Sequence, residues 1–282
     1  MCIRIYSMMQ LKGCNHLLTL PGRNPDFIIQ LGDLSHGEGL DIINNVWNQF
    51  PGKKYSVLGN HDMDHMAKDD VVKALNMPAK YYSYDSGGIH FVVLDLNYMR
   101  RDGQFLDFDH GNYFRAKWGV DRDLISPEEL EWLKADLAKT NQPTVIFSHQ
   151  GLDEIWDGSC PNRKDVRALF RQINKENTQK VIACICGHNH VDAYSEIEGI
   201  HYFQINSASY FWTDDADHYS NGHMIEYRDA LYAFITIDLD SNQIKIEGVK
   251  SEFLPPAPKP DDFNRADRVF PYISDRIIDI RI

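Results

Sequence analysis

The sequence predicts an α/β chain built as a sandwich of mixed sheets. Up to Cys186, short apolar runs bounded by turn residues alternate with segments of helical spacing. Beyond Val191 the chain turns strand-rich. Alternation favours parallel strands with helices on their faces, and consecutive strands add antiparallel pairs, so the two features together indicate mixed sheets.

Phe27-Ile28-Ile29-Gln30-Leu31 reads as a buried strand ending at Gly32. Residues 41–50 place Ile42, Ile43, Val46, Trp47 and Phe50 near helical spacing. A second strand over 55–58 stops at Gly59, a short helix follows over 71–75, and 90–95 is a third strand. In Ser126-Pro127-Glu128-Glu129 the serine caps a helix, the proline suits its first position, and Glu129 completes a capping box. Leu130, Leu133 and Leu137 then share one face. A strand over 144–148, a helix over 163–173 and a strand over 180–186 come next. The runs 191–195 and 200–205 form a turn-connected pair, and 232–238 and 243–249 flank the hairpin turn Asp240-Ser241-Asn242. Residues 1–252 are read as one domain. Residues 253–282, opening with Phe253-Leu254-Pro255-Pro256, are an extended proline-rich tail lying on it.

Hydrophobic residues make up 43% and charged residues 25% of the 282, values of a folded globular chain and not of a disordered or collagen-like one. No apolar run approaches the roughly 18–20 residues that span a bilayer as a helix. A net charge of -12 argues against wrapping nucleic acid, because nothing offsets phosphate repulsion over a broad surface. An anionic substrate would need local positive charge, most simply from a bound metal. Five cysteines are an odd, sparse set, which predicts free thiols and no disulfide framework. The N-terminal residues lack the apolar core and cleavage site of a secretory signal, so the cytoplasm is the default location.

Four short motifs each follow an expected strand: Gly32-Asp33, Gly59-Asn60-His61-Asp62, Ser148-His149 and Gly187-His188-Asn189-His190. Strand ends are where α/β sheets build ligand sites. Carboxylate, amide and imidazole donors suit Mn, Fe or Zn, and they converge only if the strands are neighbours. Each motif alone has a plainer reading, since a buried Asp or His in a loop is commonly a structural hydrogen-bonder. Ser148-His149 lacks the Gly-x-Ser-x-Gly turn of a serine hydrolase. Cys184-x-Cys186-x-His188-x-His190 would spread its side chains over about 20 Å of extended strand, too far for one zinc ion. The two cysteines therefore read as small core residues.

Taken together and in this order, the four motifs resemble those of the calcineurin-like metallophosphoesterase superfamily over residues 25–206. The resemblance implies a four-layered α/β/β/α sandwich with a dinuclear metal centre. It implies that Asp33 bridges two metals, that Asn60, His149 and His188 complete the second-metal set, and that His190 serves the first metal. His61 would be the catalytic histidine and Asp62 the carboxylate that orients it. The implied activity is that of a metal-dependent phosphoesterase, which hydrolyses phosphomono- or diphosphate esters by attack of a metal-activated water, with His61 protonating the leaving oxygen or stabilising its charge. Tyr81-Tyr82-Ser83-Tyr84-Asp85, Phe91-Val92-Val93-Leu94-Asp95, the Ser126 helix start and Asn162-Arg163-Lys164-Asp165 look similar to the manganese-dependent ADP-ribose/CDP-alcohol diphosphatase branch and to bacterial alkaline phosphatase-like relatives. That layout implies a small phosphorylated substrate, a nucleoside diphosphate ester in particular. Trp212, in Tyr210-Phe211-Trp212, would stack on its base or ring, and Arg163 would hold a distal phosphate. Core packing and a solvated helix start are the plainer readings of these two.

The family also opens with a strand ending in Asp-x-His, which serves the first metal. No Asp-x-His precedes Asp33 here, where Asp26 is the sole acidic residue and His16 the sole imidazole. The expectation is a chain that lacks the first strand and is N-terminally incomplete, any export signal having been lost with it. Its first-metal site would lack two ligands, with His16 and His36 the nearest spare imidazoles. The competing expectation is a catalytically impaired phosphate-binding or scaffold protein that retains the fold. Loss of a central strand would also leave backbone groups unpaired and the chain marginally stable.

Overall fold

A computed structural model describes residues 1–6, 23–35, 39–155, 159–176, 180–212, 224–258 and 270–282. In chain order they form β1 (Cys2–Tyr6), β2 (Phe27–Gln30), α1 (Leu40–Trp47), β3 (Lys53–Ser56), α2 (Lys68–Ala74), β4 (Tyr82–Ser86) and β5 (Ile89–Val93). Next come β6 (Tyr98–Arg101), β7 (Gln104–Asp107), β8 (Arg122–Leu124), α3 (Pro127–Lys139), β9 (Thr144–Ser148), α4 (Arg163–Glu176) and β10 (Val181–Cys186). The last are β11 (Ala193–Ile197), β12 (Ile200–Gln204), β13 (Tyr210–Trp212), β14 (Met224–Glu226), β15 (Ala233–Asp238), β16 (Gln243–Gly248) and β17 (Arg276–Asp279).

Two six-stranded sheets result, ordered β17-β16-β15-β1-β2-β3 and β11-β12-β10-β9-β5-β4. Strands β1, β2 and β3 run parallel, as do β5, β9, β10 and β12. The flanking strands join antiparallel. Side-chain alternation explains the stacking. Phe91, Val93, Val145, Phe147 and Ile185 face a core shared with Ile3, Ile5, Phe27 and Ile29 of the other sheet. Across it Phe27 meets Phe91 edge-on at 5.2 Å. Val92, Ile146 and Cys184, on the opposite face, enter a second core closed by Leu133 and Leu137 of α3 and by Val166 and Phe170 of α4. The expected sandwich of mixed sheets is the fold observed.

The first strand, however, is not missing. β1 stands between β15 and β2, with Ile3 paired to Ile235 on one side and Phe27 on the other. Its backbone groups therefore have ladders on both flanks, which removes the basis for expecting marginal stability. Ile3 and Ile5 of this short strand are buried in the core between the sheets, and the Arg4 guanidinium lies 4.1 Å over the Tyr232 ring. An arginine between two isoleucines gives too weak an alternation to mark a strand in sequence. The Asp-x-His is still absent, for Ser7-Met8-Met9 follow the strand.

Three further details differ from expectation. Ser126 Oγ accepts the Glu129 N–H at 3.1 Å, as a cap should. Glu129 does not close the box, because its Oε1 accepts the Asp95 N–H at 2.8 Å at the buried end of β5. The tail is more than extended chain: β17 pairs with β16 as an edge strand, and Asn206 Nδ2 donates to the carbonyls of Phe270 and Tyr272 at 2.6 and 3.2 Å. Strands β7, β6 and β8 form a small separate sheet that no sequence period had marked. Among the described residues no helix is long and apolar enough to cross a membrane.

Candidate metal centre

The parallel strands of both sheets deliver their C-terminal loops to one place. Asp33 follows β2, Asn60 and His61 follow β3, His149 follows β9, and His188 and His190 follow β10. Two glycines permit the approach. A Cβ on Gly32, whose φ is +93°, would lie 2.5 Å from His149 Nδ1, and one on Gly59 would lie 2.1 Å from the Asp33 nitrogen. Only glycine fits where these loops touch. Asp33, His188 and His190 themselves have φ of 54°, 66° and 54°, left-handed values that cost energy in non-glycine residues and persist where surrounding structure enforces them.

The side chains of Asp33, His149 and His188 place one donor atom each within 4.8 Å of one another. His149 Nε2 lies 3.0 Å from Asp33 Oδ2, 3.2 Å from Asn60 Oδ1 and 3.1 Å from His188 Nδ1. The four residues expected to share one metal are thus neighbours. Burial opposes the charge of Asp33, but His149 and His61 outweigh it and hold the carboxyl well below its usual range. Burial likewise opposes the His149 cation, and Asp33 raises it above its ordinary value. Burial first, and His149 second, push His188 well down, so it stays neutral and able to donate a lone pair. One carboxylate, two imidazoles and an adjacent amide oxygen are a fitting donor set for Mn, Fe or Zn. His190 adds a buried Nδ1 with no hydrogen-bond partner; burial pushes its imidazole down to about 4. His16 and His36 lie outside the described residues.

His61 is tethered differently from the expectation. Its Nδ1 lies 2.9 Å from Asp64 Oδ2, and the Tyr113 hydroxyl donates to the other oxygen of Asp64. Asp62 does not orient the ring. Its carboxylate accepts the backbone N–H groups of Gly59, Asp33 and Ser35 at 2.8, 3.1 and 3.2 Å and so staples the two glycine loops together. Burial, then the charge of Asp33, push Asp62 up to about 7. Arg163 is not brought to the cluster, since its guanidinium donates to the Cys160 carbonyl at 3.0 Å and pairs with Glu154 at 2.8 Å. Trp212 is 45% exposed, with its ring 6.3 Å from Tyr210, whose own ring is 5.3 Å from His190. Sequence reasoning missed Asp64, Tyr113 and Trp118. Trp118 lies against His188 with ring centroids 5.9 Å apart.

The calcineurin-like phosphoesterase family model matches residues 9–192. Two Arabidopsis thaliana proteins, purple acid phosphatase 15 and purple acid phosphatase 23, are 22% and 23% identical to the chain over 160 residues, 52% of its length. The matched stretch covers only 26% and 30% of those relatives. Among solved structures, a dimetal phosphatase from Danio rerio has a TM-score of 0.62 at 14% identity, covering 89% of this chain and 98% of that one. GAP50, described as the anchor in the inner membrane complex of Plasmodium, has a TM-score of 0.52 at 12% identity, covering 88% and 84%. At such identities the likeness concerns the fold.

Proposed function

The chain belongs to the calcineurin-like phosphoesterase family, and from that premise we propose that it is a metal-dependent phosphoesterase whose metal is held by Asp33, Asn60, His149 and His188. The observation that carries this reading is the convergence of the Asp33, His149 and His188 donors within 4.8 Å, with Asn60 Oδ1 beside them. A divalent ion bound there supplies positive charge for the phosphoryl oxygens and lowers the pKa of a water nucleophile. The chain's own residues do the rest. Leu31 O engages His149 Nδ1 at 2.6 Å, which presents Nε2 to the cluster. Asp64 engages His61 Nδ1, and Nε2 is the nitrogen we assign to giving a proton to the leaving oxygen. Burial opposes the His61 cation, but Asp33 and Asp64 raise it above its ordinary value, the direction an acid at neutral pH requires. Trp118 and Trp212, 52% and 45% exposed near His188 and Tyr210, favour an ester whose organic group offers a ring, a nucleoside diphosphate ester among them.

A second reading, a phosphate-binding or scaffold protein that keeps the fold, is favoured by one observation. No Asp-x-His lies between β1 and Asp33, so another ion would have Asp33 and His190, whereas catalytic transition-metal sites usually keep three protein ligands. Hydrolysis of p-nitrophenyl phosphate and ADP-ribose by the Mn-loaded chain separates the two. The first reading expects turnover that His61→Ala lowers by roughly 10²–10⁴-fold with metal content unchanged. Bound metal without hydrolysis of either ester favours the second.

A further inference from the structure

Arg122, at the start of β8, is 7% exposed, and arginine is rarely so buried unless paired. Its guanidinium carbon lies 4.3 Å from the Trp118 ring centroid and 4.7 Å from that of Tyr113. Both rings belong to the wall of the cluster. Trp118 lies against His188, and the Tyr113 hydroxyl is 3.3 Å from Asn60 Nδ2 and 3.4 Å from His61 Nδ1.

Nε of Arg122 donates to Asp123 Oδ2 at 2.9 Å. Asp123 cannot serve the whole fork. Its φ is 63°, and its other oxygen accepts Gln150 Nε2 at 3.2 Å. Among the described residues the two terminal nitrogens of Arg122 meet no acceptor, yet they are not sealed from solvent. A largely buried cation, stacked by two aromatic rings and left with uncommitted donors, is arranged for an anion with paired oxygens.

We propose that Arg122 binds a non-bridging oxygen of the phosphoryl group held at the metal cluster, clamped in position by Tyr113 and Trp118. This rests on the metal-dependent phosphoesterase reading. The ligand class is a phosphoryl group that keeps at least two non-bridging oxygens, as phosphate monoesters and diphosphate esters both do, and two such oxygens match the fork.

Calorimetric titration of the Mn-loaded full chain with inorganic phosphate tests it, with Mn content measured on the same samples. Arg122→Met, which keeps an apolar stem between the rings, should weaken phosphate binding by roughly 10- to 100-fold, the equivalent of a charge-assisted hydrogen bond, at unchanged Mn content. Arg122→Lys, which keeps the charge and loses the fork, should fall between the two. Phosphate affinity equal to wild type in Arg122→Met overturns the proposal. Should that variant lose its cooperative melting transition, equal affinity in Arg122→Lys overturns it instead. A wild-type chain that holds Mn but binds no phosphate overturns the Arg122 assignment alone. A wild-type chain that takes up no Mn overturns the phosphoesterase reading and this inference with it.

Discussion

His149 Nε2 stands 3.0 Å from Asp33 Oδ2 across the seam between the two sheets, the histidine at the end of β9 and the aspartate just past β2. The same ring's Nδ1–H donates to Leu31 O. One imidazole therefore ties the loops of both sheets and fixes which nitrogen faces the cluster. The site is made by the stacking of the sheets, so no single motif could form it alone.

Asp62 and Asp64 should separate cleanly by mutation. Asp64→Asn removes the charge that holds His61 Nδ1 while preserving volume, and should lower turnover by roughly 10–100-fold, the usual scale for a group that orients an active imidazole, with little change in melting. Asp62→Ala strips the acceptor from three backbone N–H groups. Each one left buried and unpaired costs about 1–3 kcal/mol, so this variant should melt well below wild type. Thermal unfolding and steady-state rates on both variants check the pair, and the reverse pattern would return the orienting role to Asp62.

Lys68 is a buried cation. Its Nζ lies 2.7 Å from Asp95 Oδ2 and 2.9 Å from Asp107 Oδ1, and its side chain is 1% exposed. Nearby, burial and the charge of Asp95 push Glu129 up to about 8. Lys68→Met should cost about 3–5 kcal/mol, because it leaves the buried Asp95 carboxylate without its cation. Lys68→Met combined with Asp95→Leu should recover part of that loss in urea unfolding. An unaltered midpoint for the single variant would contradict the pairing.

His90 gives a pH signature in stability. Its Nδ1 lies 2.6 Å from Asp85 and its Nε2 2.9 Å from Asp136. Burial opposes the cation, but the bonds to Asp136 and Asp85 outweigh it and raise His90 above its ordinary value. Burial likewise opposes the charge of Asp136, and the bond from His90 outweighs it and lowers the carboxyl. A folded pKa above the unfolded one means that the His90 contribution is complete below about pH 6.5 and is lost as pH rises through the folded value. The share from Asp136 is lost in the opposite direction, as pH falls from about 3.9 through its depressed value. The melting gap between wild type and His90→Gln should be widest between about pH 4 and 6.5 and should narrow above that range. A gap that widens above neutrality would count against the ion pairs.

Asp33, Asn60, His149 and His188 were legible because each ends a strand whose apolar run shows in the sequence. Asp64 was not. It is folded back by a 3₁₀ turn over His61–Met63, with its N–H on the His61 carbonyl at 3.2 Å, and adjacency favoured Asp62 instead. Tyr113 and Trp118 come from the stretch between β7 and β8, and Arg122 from β8 itself. There the strands are short and the residues polar, so no hydrophobic period places them. Arg163 looked available because a helix start reads as solvated, while the partner that engages it, Glu154, lies on a loop whose path only the fold determines. Strand β1 was hidden by Arg4, whose burial against Tyr232 depends on a strand more than two hundred residues away in sequence.

Metal content of the purified chain tests the central claim most directly. After Mn reconstitution and removal of loosely held ions, elemental analysis of wild type and of Asp33→Asn with His188→Ala should give roughly one ion per chain for the first and almost none for the double variant, with both proteins still melting cooperatively. No bound transition metal in the wild type, or equal content in the two, would contradict the assignment of Asp33, Asn60, His149 and His188 as a metal site.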